Sequence, residues 1–136
     1  LESVPEPAWR AEPPGGKGRT IQAIAAHVHN VRVMWIKVSG KAAGIPAPEQ
    51  AKKETVTPAE VVALLKESDA AVERLVRESI ASGGRIHDFR PDVASFVGYV
   101  ISHDSHHRGQ IALLARQVGH PLPKTVGFGM WEWGKR

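Results

Sequence analysis

The amino-acid sequence predicts an all-α helical bundle. Three long segments carry apolar residues at spacings of three and four, which is the repeat of one face of an α-helix. Helix-capping residues precede these segments and glycines follow them. No segment shows the strict alternation of a half-buried strand, and no internal repeat is visible. With 136 residues and 42% hydrophobic content, the chain suits one compact domain over residues 1–136.

An irregular arm and the first long helix open the chain. Residues 1–19 contain four prolines and three glycines, which disfavour a regular helix or strand. Thr20 can then cap a helix that ends at Gly40, and a loop over residues 41–56 follows. The predicted apolar face of this helix consists of Ile24, Val28, Val31, Trp35 and Val38.

The second long helix has a well-defined start signal. Thr57 is a candidate N-cap, Pro58 suits the first helical position, and Glu60 completes a capping box. The helix is predicted to run to Gly83, where a pair of glycines can end it. Its apolar stripe is Val61, Leu64, Leu65, Ser68, Val72, Leu75, Val76 and Ile80.

The third long helix carries two histidines on its apolar face. Asp92 lies in its predicted first turn, where a negative charge suits the helix dipole, and Gly119 ends it. Residues 120–136 are predicted to form a C-terminal tail rich in proline, glycine and tryptophan, with room for a short helix. The apolar face of the third helix is Phe96, Val100, His103, His107, Ile111, Leu114 and Val118.

The composition excludes several classes of function. The chain has no cysteine, so disulfides, thiolate metal ligands and cysteine nucleophiles are all excluded. No apolar run approaches the length of about 20 residues that spans a bilayer, and no signal peptide is visible, so we expect a cytoplasmic protein without membrane association. The net charge is +4, but the basic residues are scattered. Nucleic-acid binding is therefore an alternative that rests on charge alone, and we do not expect it.

The histidines on the third helix point to a metal site. His103 and His107 are four residues apart and can share one face, although His103 with His106 is a second pairing that spacing allows. The apolar stripe favours His103 and His107, since both fall on it. A buried imidazole is costly unless a metal ion or hydrogen bonds satisfy it. A hydrogen-bonded or surface pair remains the alternative, and the pattern HExxH of zinc proteases is absent.

The first long helix supplies the third candidate ligand. His27 lies beside Ile24 and Val28 on the core side, whereas His29 is predicted to face the surface. Three neutral imidazoles suit a divalent ion with an open coordination position. Zn²⁺ and Ni²⁺ are favoured, with Fe²⁺ and Mn²⁺ as alternatives. The other histidines and the acid of the motif are predicted to be solvated: His87, His120 and Asp104.

Several motifs give the chain its resemblance to a known family. They are the segment His103-Asp-Ser-His-His-Arg-Gly-Gln-Ile111, the segment Ala26-His-Val-His-Asn-Val-Arg32 followed by Trp35, and the ending Gly119-His-Pro-Leu-Pro with Gly129-Met-Trp-Glu-Trp133. In these motifs the sequence resembles the DinB/YfiT-like superfamily, from about Gly18 to Arg136.

The resemblance implies a four-helix bundle of up-down-down-up topology, often a homodimer. It implies a metal held by one histidine of the second bundle helix and two of the fourth, which here are His27, His103 and His107. Family members carry an additional helix ahead of the segment that begins here near Val4. The first bundle helix is therefore expected to be missing from this chain.

The resemblance also implies metal-dependent chemistry on a small molecule. Some members of that superfamily are thiol S-transferases or isomerases that use a low-molecular-weight thiol. Others are described as metal-dependent hydrolases. The alternative is a non-catalytic metal-binding stress-response module. Arg108 is a candidate for binding an anionic thiol or substrate carboxylate, or for pairing with a neighbouring acid. Gln110 is a candidate for orienting a ligand, and Trp35 for lining a pocket.

Overall fold

The described part of the chain is all-α, as the sequence predicted. The computed structural model describes residues 1–129, 131 and 132, so part of the predicted tail, including Trp133, lies outside the described residues. Among those residues there is no strand beyond an isolated bridge, and no helix is long and apolar enough to cross a membrane. The helices are α1 Glu6–Trp9, α2 Ile21–Trp35, α3 Pro58–Ala81, α4 Val93–Gln117 and α5 Lys124–Gly129.

The predicted caps start the three long helices. The Thr20 hydroxyl accepts a hydrogen bond from the backbone N–H of Ala23 at the start of α2. Thr57 and Glu60 form a complete capping box at the start of α3. Asp92 stands at the N-cap of α4, just ahead of the first turn in which it was predicted. These side chains satisfy backbone N–H groups that have no partner within their helices.

Two predicted core positions are wrong, and both lie near helix ends. After Trp35 the helix widens into a π-helical turn, Ile36–Gly40. The wider turn shifts the buried face, so Ser39 is buried and Val38 is 42% exposed. At the end of α3, Ile80 is 62% exposed, because its neighbour Ser79 takes the buried position.

The long helices follow the directions of the last three helices of an up-down-down-up bundle. Early residues of α2 meet the start of α3, and His29 meets Ser68 further along, so α2 and α3 run parallel. Arg32 of α2 reaches Asp104 of α4, whereas the earlier His27 reaches the later His107, so these helices are antiparallel. The long connection before α3 permits the parallel arrangement. The described residues contain no further long helix.

The N-terminal arm is part of the core. Its one-turn helix α1 places Trp9 at full burial, and the indole N–H donates to the Val56 carbonyl at 3.1 Å. Apolar side chains of the arm, the connection and the three long helices form one cluster: Val4, Ala8, Trp9, Ile21, Ile24, Ala25, Ala26, Ala51, Val56, Val61, Ile111, Leu114 and Ala115.

The connection between α2 and α3 is held in place by side chains of α2. Asn30 exchanges two hydrogen bonds with the backbone of Ala51, at 3.0 and 2.8 Å. His29 bonds the carbonyl of Glu49 at 2.7 Å. The connection therefore covers one side of α2, and the three candidate ligands lie where α2 meets α4.

Candidate metal centre

Three imidazoles converge between α2 and α4. His27 comes from α2, and His103 and His107 come from successive turns of α4. Their candidate ligand nitrogens all lie within 4.8 Å of one another. The ring centroids of His103 and His107 are 4.5 Å apart, and the centroid of His27 lies 5.3 Å from that of His103 and 4.7 Å from that of His107. The spacing of four on α4 produces this convergence, as the sequence predicted.

The nitrogen spacing suits metal ligation better than a direct hydrogen bond. Nε2 of His103 lies 3.4 Å from Nε2 of His27. Two nitrogens that each sit about 2.0–2.1 Å from a tetrahedral ion are about 3.3 Å apart. A hydrogen bond usually joins its heavy atoms at about 2.7–3.2 Å. The pair His27 and His103 therefore has the spacing that a shared divalent ion requires.

Gln110 fixes the orientation of one imidazole. Nδ1 of His107 lies 2.7 Å from the Gln110 side-chain oxygen, so the ring N–H donates to that oxygen. The proton is then on Nδ1, and Nε2 carries the free lone pair that a metal would need. This confirms contact between Gln110 and a candidate ligand and gives it the geometry of a positioning residue.

Asp104 is half-buried rather than solvated, so its predicted exposure is wrong. One oxygen of Asp104 pairs with the Arg32 guanidinium. The other oxygen is buried without a hydrogen-bond partner among the described residues, 3.7 Å from Nδ1 of His103. The carboxylate thus faces the side of His103 that turns away from His27. Metal-bound histidines commonly have a carboxylate in this place.

Burial and nearby charge favour the neutral imidazoles of His27 and His107. Burial, the nearby Arg19 guanidinium and the other two imidazoles lower the pKa of His27 from 6.5 to about 4. Burial is also the main cause that lowers the pKa of His107, and it outweighs the Gln110 hydrogen bond, which raises that pKa. Only a neutral imidazole can bind a metal, so at neutral pH these rings are ready to do so.

A comparison with protein-family models identifies the family of this chain. The family model described as "DinB family" matches residues 1–134, which is nearly the whole sequence. This chain belongs to the DinB family. A segment of 41 residues is also 42% identical to "Uncharacterized protein YrdA" of Bacillus subtilis (strain 168), covering 30% of this chain and 25% of that protein. The matched segment thus spans about a quarter of that relative. No solved structure matches the sequence significantly.

The other candidate residues of this DinB chain lie away from the three imidazoles. Arg108 is exposed on the wall of a groove of about 830 Å³ between α3 and α4, which none of the three histidines lines. Trp35 packs edge-on against Phe89, Phe96 and Tyr99. Only Tyr99 of that cluster reaches the histidines, stacking on His103 at 5.9 Å.

The remaining histidines differ in burial. His87 is exposed, as predicted, and His106 is exposed as well. His120, which was predicted to be solvated, is partly buried. The prediction of a surface position for His29 is wrong, because this side chain is fully buried. Its Nε2–H donates to the Glu49 carbonyl at 2.7 Å, and Nδ1 lies 3.1 Å from the Ser68 hydroxyl. His29 is a core residue between α2, α3 and their connection.

The sequence prediction missed Arg19. This residue precedes the N-cap of α2 and lies eight positions before His27, which corresponds to about two helical turns. Its positive charge is among the causes that lower the pKa of His27 and of His107. The spacing of eight residues to His27 is visible in the sequence. However, the arm before Thr20 has no regular pattern from which the position of Arg19 could be predicted.

We expect the metal-free protein to lose stability as the pH falls from 6.5 to about 4, because folded His27 resists protonation over that range while the unfolded chain takes up the proton. The contribution of His27 is complete above pH 6.5 and is lost as the pH falls through about 4. Urea unfolding in chelator at several pH values measures it. His27→Ala should show a weaker pH dependence, and an unchanged dependence would contradict the assignment.

We expect Gln110→Leu to weaken metal binding by about 10–100-fold, which is the usual cost of losing a partner that orients a metal-bound histidine. Leucine keeps the size of the side chain but cannot accept the His107 N–H. Competition titration with a chelator dye measures the affinity. Gln117→Leu, at an exposed position of the same helix, is the matched control. Equal affinities in the two variants would show that Gln110 does not position His107.

Proposed function

We propose that this DinB protein is a metal-dependent enzyme that transfers a thiol, with His27, His103 and His107 as the metal ligands. The observation that carries the proposal is the convergence of three imidazole nitrogens within 4.8 Å. His27 and His103 are partly exposed, which supports access of a small molecule to the cluster. Zn²⁺ and Ni²⁺ suit three nitrogen ligands and an open position.

Thiol transfer fits the surrounding residues better than hydrolysis. A bound divalent ion would lower the pKa of a thiol or a water molecule and so favour a nucleophile at neutral pH. Among the described residues, no carboxylate joins the three histidines within 4.8 Å, and Asp104 is already paired with Arg32. A water molecule would therefore lack a carboxylate base at the cluster. A thiol needs less assistance, since its own pKa is only about 8.5.

The chain itself supplies no sulfur nucleophile. It contains no cysteine, so the sulfur must come from a small thiol that enters with the electrophile. In the transfer the thiol gives its proton to solvent, its sulfur forms a bond to an electrophilic carbon, and the leaving group departs with the bonding electron pair. The three imidazoles would hold the metal ion to which the sulfur binds. Gln110 contacts His107 and Asp104 lies beside His103, so these two side chains would orient the imidazoles.

A turnover assay with and without thiol tests this proposal. The zinc-loaded protein is mixed with an electrophile such as 1-chloro-2,4-dinitrobenzene or an activated ester, and the reaction is followed by absorbance. We expect thiol-dependent product formation that a chelator abolishes and added zinc restores. Ester cleavage without thiol would favour the hydrolase alternative. A protein that binds zinc but catalyses neither reaction across a panel of thiols and electrophiles would favour the non-catalytic module.

A further inference from the structure

Arg32 joins the three long helices next to the metal centre. It lies on α2, and Nη1 of its guanidinium donates to the Leu65 carbonyl of α3 at 3.3 Å. Nη2 pairs with the Asp104 carboxylate of α4. A second acid, Asp69 of α3, lies 3.6 Å from Nη1 but is 75% exposed, so this ion pair contributes little. A single side chain thus ties α3, which supplies none of the three candidate ligands, to the acid of α4.

Asp104 divides its two oxygens between Arg32 and His103. Oδ2 pairs with the guanidinium, whereas Oδ1 is buried and has no hydrogen-bond partner among the described residues. Nδ1 of His103 lies 3.7 Å from Oδ1, which exceeds the usual hydrogen-bond length by about 0.5–1 Å. When Nε2 of His103 carries the lone pair that a metal needs, Nδ1 carries the proton. That N–H can then satisfy the buried oxygen, which is costly to leave without a donor.

The orientation of the Asp104 carboxylate depends on Arg32. The side chains are 29% and 13% exposed respectively, so the pair is largely shielded from water. A guanidinium fixes a carboxylate in direction as well as in position, because its N–H groups form a rigid fork. The Leu65 carbonyl holds the guanidinium in turn. With Oδ2 fixed in this way, Oδ1 remains beside His103.

We propose that Arg32 is a positioning residue of the metal centre, which holds Asp104 as the acceptor of the His103 Nδ1–H and thereby strengthens metal binding. This inference rests on the ligands of the proposed function. The expected effect has the opposite sign to that of charge alone. A cation repels a nearby divalent ion, so by its charge Arg32 would weaken metal binding. By positioning Asp104, it strengthens metal binding.

Zinc affinities of variants of the full chain, measured by competition with a chelator dye, test the inference. We expect Asp104→Asn to bind zinc about 10–100-fold more weakly, which is the usual cost of losing a partner of a metal-bound histidine. Arg32→Gln should lose about tenfold. It should cause no further loss when combined with Asp104→Asn, because it acts through that carboxylate. The matched control Asp69→Asn removes the exposed ion pair of Arg32 and should change the affinity less than about twofold.

The hydrogen bond itself can be measured by nitrogen-15 NMR of the zinc-loaded protein. We expect the Nδ1–H proton of His103 to exchange slowly with water in the unmodified protein and in Asp69→Asn. The same proton should exchange faster in Arg32→Gln. Arg32→Lys keeps the charge but not the fork, so its zinc affinity should lie between those of the unmodified protein and Arg32→Gln. If Arg32→Gln does not fold, Arg32→Lys takes its place in every comparison.

The outcomes separate the role of Arg32 from the proposed function. An unchanged or higher zinc affinity in Arg32→Gln, or equal affinities in Arg32→Gln and Asp69→Asn, would overturn the role of Arg32 even if thiol transfer occurs. Weaker zinc binding in Arg32→Gln, together with no turnover by the unmodified protein, would support the role and contradict the enzyme. Absence of zinc binding by the unmodified protein would overturn both.

Discussion

Replacing His27, His103 or His107 by alanine should leave a folded protein that no longer retains a stoichiometric metal ion. Each replacement removes one of three nitrogen donors, and the two that remain bind a divalent ion far more weakly. Losing a mere partner of a metal-bound histidine already costs about 10–100-fold in affinity, so we expect a loss greater than about 100-fold here. Elemental analysis of the purified protein after dialysis against metal-free buffer measures the retained ion.

The matched control for this prediction is His106→Ala. His106 neighbours His107 in sequence and contacts its ring at 5.0 Å, but it is exposed and lies outside the histidine cluster. Its removal should leave the metal content unchanged. Metal loss in His106→Ala equal to that in His107→Ala would indicate that the ion binds a different set of histidines.

His29→Ala should have the opposite effect and lower stability while metal content is kept. The side chain is fully buried, and it joins α2 to Ser68 of α3 and to the Glu49 carbonyl. Its removal leaves a cavity and an unpaired, partly buried carbonyl, which together should cost about 2–4 kcal/mol of the free energy of unfolding. Chemical denaturation of the zinc-loaded protein measures the cost.

Two further variants serve as controls for His29→Ala. His87→Ala removes an exposed imidazole and should change the free energy of unfolding by less than about 0.5 kcal/mol. His29→Gln can still donate to a carbonyl and should recover part of the lost stability. The core assignment of His29 would fail if His29→Ala were as stable as His87→Ala, or if it lost its metal.

Local signals in the sequence were sufficient to predict the long helices. The caps at Thr20 and Thr57 act within a few residues of their own position, so they can be recognised from the local sequence. The burial of Trp9 could not be predicted in this way. It depends on a hydrogen bond to Val56, which is 47 residues away, and on the path of a connection that has no periodic pattern.

The convergence of the three candidate ligands could be predicted for the same local reason. His103 and His107 are one turn apart on a single helix, and His27 shares the apolar side of its helix, so two stripes meeting in a bundle bring the three together. The misplacement of His29 shows the limit of such reasoning. Helical periodicity identified one buried face of α2, whereas the connection over Glu49 buries a second face. Arg19 was missed because it precedes the helix.

The central claim is that the imidazoles of His27, His103 and His107 bind one divalent ion together. X-ray absorption spectroscopy at the zinc edge of the loaded protein measures the ligand shell directly. The account predicts three imidazole nitrogens at about 2.0–2.1 Å, with one imidazole fewer for any zinc still bound in His103→Ala. A shell of oxygen ligands without imidazole scattering, or a spectrum that His103→Ala leaves unchanged, would contradict it.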